Sequence, residues 1–161
     1  MATPHRLERS QLVARPLAEV FGFFADAANL EAMTPPALGF EILTPRPIPL
    51  QAGTLIDYRL RLLRVPFHWQ TRIETFEPLV RFSDVQLRGP YRRWHHLHEF
   101  FATSTGTLVV DTVDYELPFG PLGDLAHALF VRGTLDHIFA YRQEQMAARF
   151  GTPPGAERRS A

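Results

Sequence analysis

Two residue types are missing from this chain of 161 residues. There is no cysteine, which excludes disulfides, thiolate metal centres, iron–sulfur clusters and cysteine nucleophiles, and permits a reducing cytoplasm. There is no lysine either: all 17 basic residues are arginine, a bias that reads as the codon usage of a GC-rich bacterial genome. Charge of one sign is also lacking. The 17 basic residues are matched by 17 acidic ones and neither half holds a basic run, so the electrostatic footprint of a nucleic-acid binder is absent and no such partner is expected. No apolar run approaches the length of a membrane span, and residues 1–8 lack the hydrophobic region of a signal peptide, so a cytoplasmic location is expected. Phosphate loops, dinucleotide fingerprints and nucleophile elbows do not occur, which removes kinase and hydrolase readings.

What is present is one domain's worth of alternating pattern. A chain of this length buries about two-thirds of its unfolded surface as a single core. One domain over residues 1–150 is expected, with a disordered tail at 151–161 where glycine, proline and charge mix without periodicity. Residues 5–14 read as a strand, and Pro16 then opens a short amphipathic helix through Leu17, Val20, Phe21 and Phe24. A second helix is expected from Ala27 to Met33, capped by Asp26 and stopped before Pro35 and Pro36.

From Gly39 the period changes to two. Strands are expected near 39–44, 54–62, 67–76, 80–87, 91–101 and 107–117, joined by short turns, hence consecutive antiparallel hairpins. A long C-terminal helix follows, with Pro121 in its first turn and Asp124 near its positive end. Leu122, Leu125, Leu129, Ile138, Phe139 and Met146 are its expected buried side, and Gly133 its expected weak point.

Because strand side chains alternate faces, the charged positions identify the side that meets water. Asp57, Arg59 and Arg61 turn Ile56, Tyr58, Leu60 and Leu62 inward, and pairing Leu62 with Phe67 keeps Trp69 on that side. Arg93, His95 and Glu99 leave Trp94, His96, His98 and Phe100 inside; Thr112, Asp114 and Glu116 leave Val109, Asp111, Val113 and Tyr115 inside. A turn over 103–106 then pairs Phe100 with Val109, His98 with Asp111, His96 with Val113 and Trp94 with Tyr115. The same register puts Phe82, Asp84 and Gln86 inside. So many polar groups on an inward face point beyond packing, because each must be hydrogen-bonded when buried. Apolar walls with a few convergent polar groups describe a small-molecule site.

The order strand, two short helices, six strands, long helix resembles bacterial members of the START-like (SRPBCC) superfamily. The segments carrying the likeness run from Phe82 to Trp94, then His96 to His98, then Asp111 to Gly123. That superfamily includes the polyketide cyclase/dehydrase group, the coenzyme Q-binding proteins and the major birch pollen allergen. The resemblance implies an α+β helix-grip fold, a seven-stranded curved antiparallel sheet wrapped around a long C-terminal helix with two short helices between strands 1 and 2. It also implies a cavity for lipids, isoprenoids or polyketide-like molecules, and supplies no shared catalytic residues.

The leading expectation is a binding protein for a hydrophobic or aromatic molecule held by Tyr58, Trp69, Gln86, Trp94, His96, His98, Phe100, Tyr115 and Phe139. An enzyme of cyclase or dehydratase type using His98, Asp111 and Tyr115 is the alternative: a carboxylate opposite an imidazole raises its pKa and fixes its tautomer. A ligand-dependent protein-interaction module is a third possibility. His96, His98 and Asp111 also have the spacing of a two-histidine, one-carboxylate metal face. Histidines in a partly polar core are more often satisfied by hydrogen bonds, so no metal or other cofactor is expected. Arg92 and Arg93 read as a solvated turn rather than as an anion gate.

Overall fold

The long C-terminal helix packs its buried side chains against the concave side of an antiparallel sheet, and that relation organises the molecule. The structure, a computed structural model, describes residues 2–156 and the backbone of 159–160. Strand β1 (Pro4–Val13) is followed by helix α1 (Leu17–Phe24) and two single-turn 3₁₀ helices, Ala27–Leu30 and Pro36–Leu38. Then come β2 (Glu41–Ile42), β3 (Leu55–Leu62), β4 (Val65–Glu77), β5 (Arg81–Arg88), β6 (Arg93–Thr103) and β7 (Gly106–Glu116). The C-terminal helical stretch consists of α2 (Pro121–Ala126), a wide π turn (His127–Val131) and α3 (Arg132–Phe150).

Seven antiparallel strands form the curved sheet in the order β2-β3-β4-β5-β6-β7-β1, and a short eighth strand extends it at the β1 edge. Two residues of the stretch read as a tail, Arg159–Ser160 (β8), pair with Ser10 and Arg9 on the outer side of β1. Two register shifts in β4, between Gln70 and Thr71 and between Ile73 and Thr75, are irregularities of the kind that bend a strand and curve its sheet. This is the helix-grip architecture. No helix among the described residues is long and apolar enough to cross a membrane.

The β6–β7 register is the one that alternation implies: Trp94 opposite Tyr115, His96 opposite Val113, His98 opposite Asp111, Phe100 opposite Val109. The β3–β4 hairpin differs by two residues. Leu62 faces Val65 and Leu60 faces Phe67, because Leu63 and Arg64 both take left-handed backbone (φ 51° and 66°) and close a two-residue turn. A shift of two keeps every side chain on its own face. The expected helix from Ala27 to Met33 is only a 3₁₀ turn ending at Leu30, although the Asp26 carboxylate does accept from the Ala28 N–H (2.9 Å).

The terminal helix departs most from expectation. Its irregular turn lies at His127–Val131 rather than at Gly133, and a π turn admits one extra residue, rotating everything before it relative to the stripe behind. Leu122, Leu125 and Leu129, expected inside, are therefore exposed, Leu122 by 73 %. The buried stripe is Leu135, Phe139, Arg142, Gln143, Met146 and Phe150. Each apolar member contributes about 1.5–3 kcal/mol of burial. Polar ties fix the helix to β1: Gln11 Nε2 donates to the Gln143 carbonyl (2.9 Å), and Arg9 meets Asp136 at 2.6 Å.

Candidate functional site

Between the concave face and α3 lies a hollow of about 170 Å³, measured as space open to the centre of a water molecule. A cavity needs only about 10–15 Å³ of such space to hold one water, so this hollow is large enough for several and the interior is not packed solid. Its walls are apolar: Leu60 and Trp69 from the sheet, Leu135, Ile138 and Phe139 from α3, and Phe24 and Met33 from the helical insertion between β1 and β2. Tyr58 and Trp69 also line it, and both satisfy their polar atoms on Thr71 Oγ1, at 3.2 and 3.1 Å. Trp94 meets Trp69 edge to face at 5.2 Å, a geometry that holds both rings at the wall.

Asp84, His96, His98 and Arg142 also line the hollow. The local reason is strand register. His96 and His98, two apart on β6, share a face; Asp84 stands opposite His96 on β5 and Asp111 opposite His98 on β7. Two carboxylates thus flank two imidazoles across three adjacent strands. His96 Nε2 donates to Asp111 Oδ1 (2.9 Å) and His98 Nε2 to Asp84 Oδ2 (3.3 Å). His98 Nδ1 also lies 2.9 Å from Asp111 Oδ1, but off the hydrogen-bond direction. Arg142 approaches Asp111 to 3.8 Å and lies over the Phe139 ring at 5.1 Å.

These contacts separate the protonation states. Burial raises Asp84 and Asp111, but hydrogen bonds from the histidines reverse the sign: Asp84 ends below its ordinary value and Asp111 well below. Burial and the neighbouring His98 push His96 down to about 4, against the pull of Asp111. Burial acts the same way on His98, yet Asp111 and Asp84 together carry it above the ordinary imidazole value. The hollow therefore presents one neutral imidazole, one with raised proton affinity and the ionised Asp84, with the ionised Asp111 behind the two histidines.

Of the residues singled out from the sequence, Tyr58, Trp69, Trp94, His96, His98 and Phe139 are brought together on this wall. Asp111 sits directly behind the two histidines. Three lie elsewhere. The Gln86 side chain closes the β5–β6 turn, donating to the Tyr91 carbonyl (2.7 Å) and accepting from the Tyr91 N–H (3.2 Å). Phe100 is buried in a separate core beneath α1, edge-on to Phe21 at 5.1 Å. The Tyr115 hydroxyl bonds His127 Nε2 at 2.7 Å, near a surface cleft with His5 and Arg93. Arg92 and Arg93 are exposed beside Glu116, each at 3.9 Å, and line no part of the hollow.

Sequence reasoning left out Tyr91 and Arg142 and gave Asp84 no role. For Arg142 a signal exists: it falls at i+3 from Phe139 and four before Met146, on the buried stripe of α3.

A curved sheet closed over a C-terminal helix, with an apolar hollow and a polar group of side chains at one wall, defines the START-like class of domains. A family model described as polyketide cyclase/dehydrase and lipid transport matches residues 13–138, and the chain belongs to that family. No curated protein matches the sequence. Among solved structures, the fold is similar to the ZhuI aromatase/cyclase of Streptomyces sp. R1128, at TM-score 0.72 and 18 % identity, over 91 % of this chain and 93 % of that one. A protein of Thermus thermophilus matches at TM-score 0.65 and 20 % identity, over 91 % and 99 %. Norcoclaurine synthase of Thalictrum flavum matches at TM-score 0.64 and 12 % identity, over 92 % and 98 %. At these identities the likeness is one of fold.

Proposed function

We propose that this protein binds a hydrophobic, largely planar small molecule between sheet and helix, its rings against Trp69, Trp94 and Phe139 and an oxygen substituent toward His98 and Asp84. The observation that carries the reading is the hollow itself: apolar over most of its wall, with charged and polar side chains gathered on adjacent strands at one place. Affinity would come from apolar burial at about 25 cal/mol per Å² and orientation from the polar wall. Membership of a family whose description names both cyclases and lipid transport supports a role of this kind.

The test is titration with a naphthalene dye whose emission rises on leaving water, in wild type and in Ile138→Trp, where the larger ring reaches into the hollow. Saturable binding weakened at least tenfold by the substitution is expected. Absence of saturable binding, or binding indifferent to the substitution, refutes the proposal. Native mass spectrometry of protein from its own host then identifies the occupant.

A second reading is favoured by one observation: His98 stands between two carboxylates at the wall of the hollow. An imidazole so held can donate a proton to a departing hydroxyl or to a carbonyl oxygen, the step a cyclase or dehydratase requires. Tyr115, turned toward His127, takes no part. His98→Gln should then abolish turnover while sparing dye binding.

A further inference from the structure

We propose that Asp84, His96 and His98 form a binding site for a divalent first-row transition ion, with Asp111 as the outer carboxylate that orients both imidazoles. One donor atom from each of the three lies within 4.8 Å of the others. The nitrogens facing Asp84 Oδ2 are His98 Nε2 at 3.3 Å and His96 Nδ1 at 4.0 Å. The opposite nitrogens, His96 Nε2 and His98 Nδ1, each lie 2.9 Å from Asp111 Oδ1. A histidine that ligates a metal through one ring nitrogen commonly gives its other N–H to a carboxylate; here Asp111 accepts from His96 Nε2, and His98 Nδ1 stands 2.9 Å from the same oxygen, where a small rotation of the ring would align it.

Further features point the same way. Asp84, His96 and His98 line the hollow while Asp111 does not, so the three inner ligands face space and the fourth group stands behind them. His96 Nδ1 makes no hydrogen bond among the described residues, which leaves a lone pair directed away from Asp111. Two imidazoles and one carboxylate suit Zn²⁺ or Fe²⁺ rather than Mg²⁺ or Ca²⁺, and three protein ligands leave positions for water or a ligand oxygen. Ligand bonds of about 2.0–2.2 Å would require the Asp84 carboxylate to close on His96 by roughly an ångström. Metal uptake replaces the proton on His98 Nε2, which leaves to solvent, so ion occupancy and acid chemistry by His98 exclude one another.

The experiment is calorimetric titration of chelator-treated, untagged protein with Zn²⁺ alone. Binding of one ion per chain is expected, weakened at least 100-fold in Asp84→Asn and in His96→Ala, and about 10- to 100-fold in Asp111→Asn. His68→Ala, which breaks an exposed pair with Asp57, should leave it unchanged. No binding by wild type, affinity indifferent to Asp84→Asn, or loss with His68→Ala overturns the proposal. If a variant fails to fold, Co²⁺ titration of the wild type decides: two strongly shifted, exchangeable imidazole N–H resonances are expected, and their absence overturns it equally.

Discussion

Replacing Asp111 by asparagine isolates the charge that holds the polar wall together. Asp111 is 2 % exposed and one of its oxygens is shared by His96, His98 and Arg142 at 2.9, 2.9 and 3.8 Å. Removing one partner from a buried charged group costs about 3–5 kcal/mol, because the remaining charges stay buried without their counter-ion. Asparagine keeps the shape and one acceptor oxygen for His96, so no cavity term is added, and about 3 kcal/mol is the expected loss. For a chain of this size that is a fall in Tm of about 6–12 °C, at about 2–4 °C per kcal/mol.

The pH dependence gives an independent check. Asp111 titrates well below the usual carboxylate value in the folded chain, so the stability it contributes is complete above the unfolded value of about 3.9 and is lost as pH falls toward the folded one. Thermal denaturation of chelator-treated protein, followed by circular dichroism, should show the full gap between wild type and Asp111→Asn at pH 7 and a narrowing gap below about pH 4. Asp114→Asn breaks an exposed pair with Arg6 and should cost no more than about 1 kcal/mol. A gap under about 2 °C at pH 7, or equal losses in the two variants, would refute the reasoning.

Other outcomes follow from the same contacts. Phe139→Ala removes a buried ring that packs on His96 at 5.5 Å and should lower stability by about 3–5 kcal/mol in urea titrations. Ile138→Trp, at the edge of the hollow, should cost less than about 3 kcal/mol of stability while weakening dye binding at least tenfold. Gly106→Ala should destabilise by more than about 1 kcal/mol, since φ is +152° and an added Cβ would collide with the Val13 carbonyl; an unchanged urea midpoint would contradict this. Arg142→Met removes a buried cation 3.8 Å from Asp111 whose charge also lowers Asp84, and should raise both carboxylates, shifting the onset of acid unfolding followed by circular dichroism to higher pH.

Much of this fold is legible because its rule is local. Charges at alternate positions in β6 and β7 identify which side chains leave water, and a single tight turn converts that into a register, so His98 opposite Asp111 follows from the sequence. The β3–β4 register was not legible in the same way: Leu63 and Arg64 adopt left-handed backbone without the glycine or asparagine that normally signals it. Alternation also cannot separate the residues of one inward face from each other. Gln86, Phe100 and Tyr115 point inward by parity, yet a turn, a helix and a histidine from elsewhere in the chain claim them.

What the sequence determined by itself is the element order, the face of most strands and the gathering of polar groups on the concave side, since each depends on neighbours a few residues apart. Which of those groups border open space is set instead by long-range packing. That depends on the phase of α3, set by a π turn without a sequence signature, which exposes Leu122, Leu125 and Leu129 and carries Arg142 over Asp111. It also depends on β5 and β7 closing on β6 from opposite sides, which sets Asp84 at the hollow and Asp111 behind it.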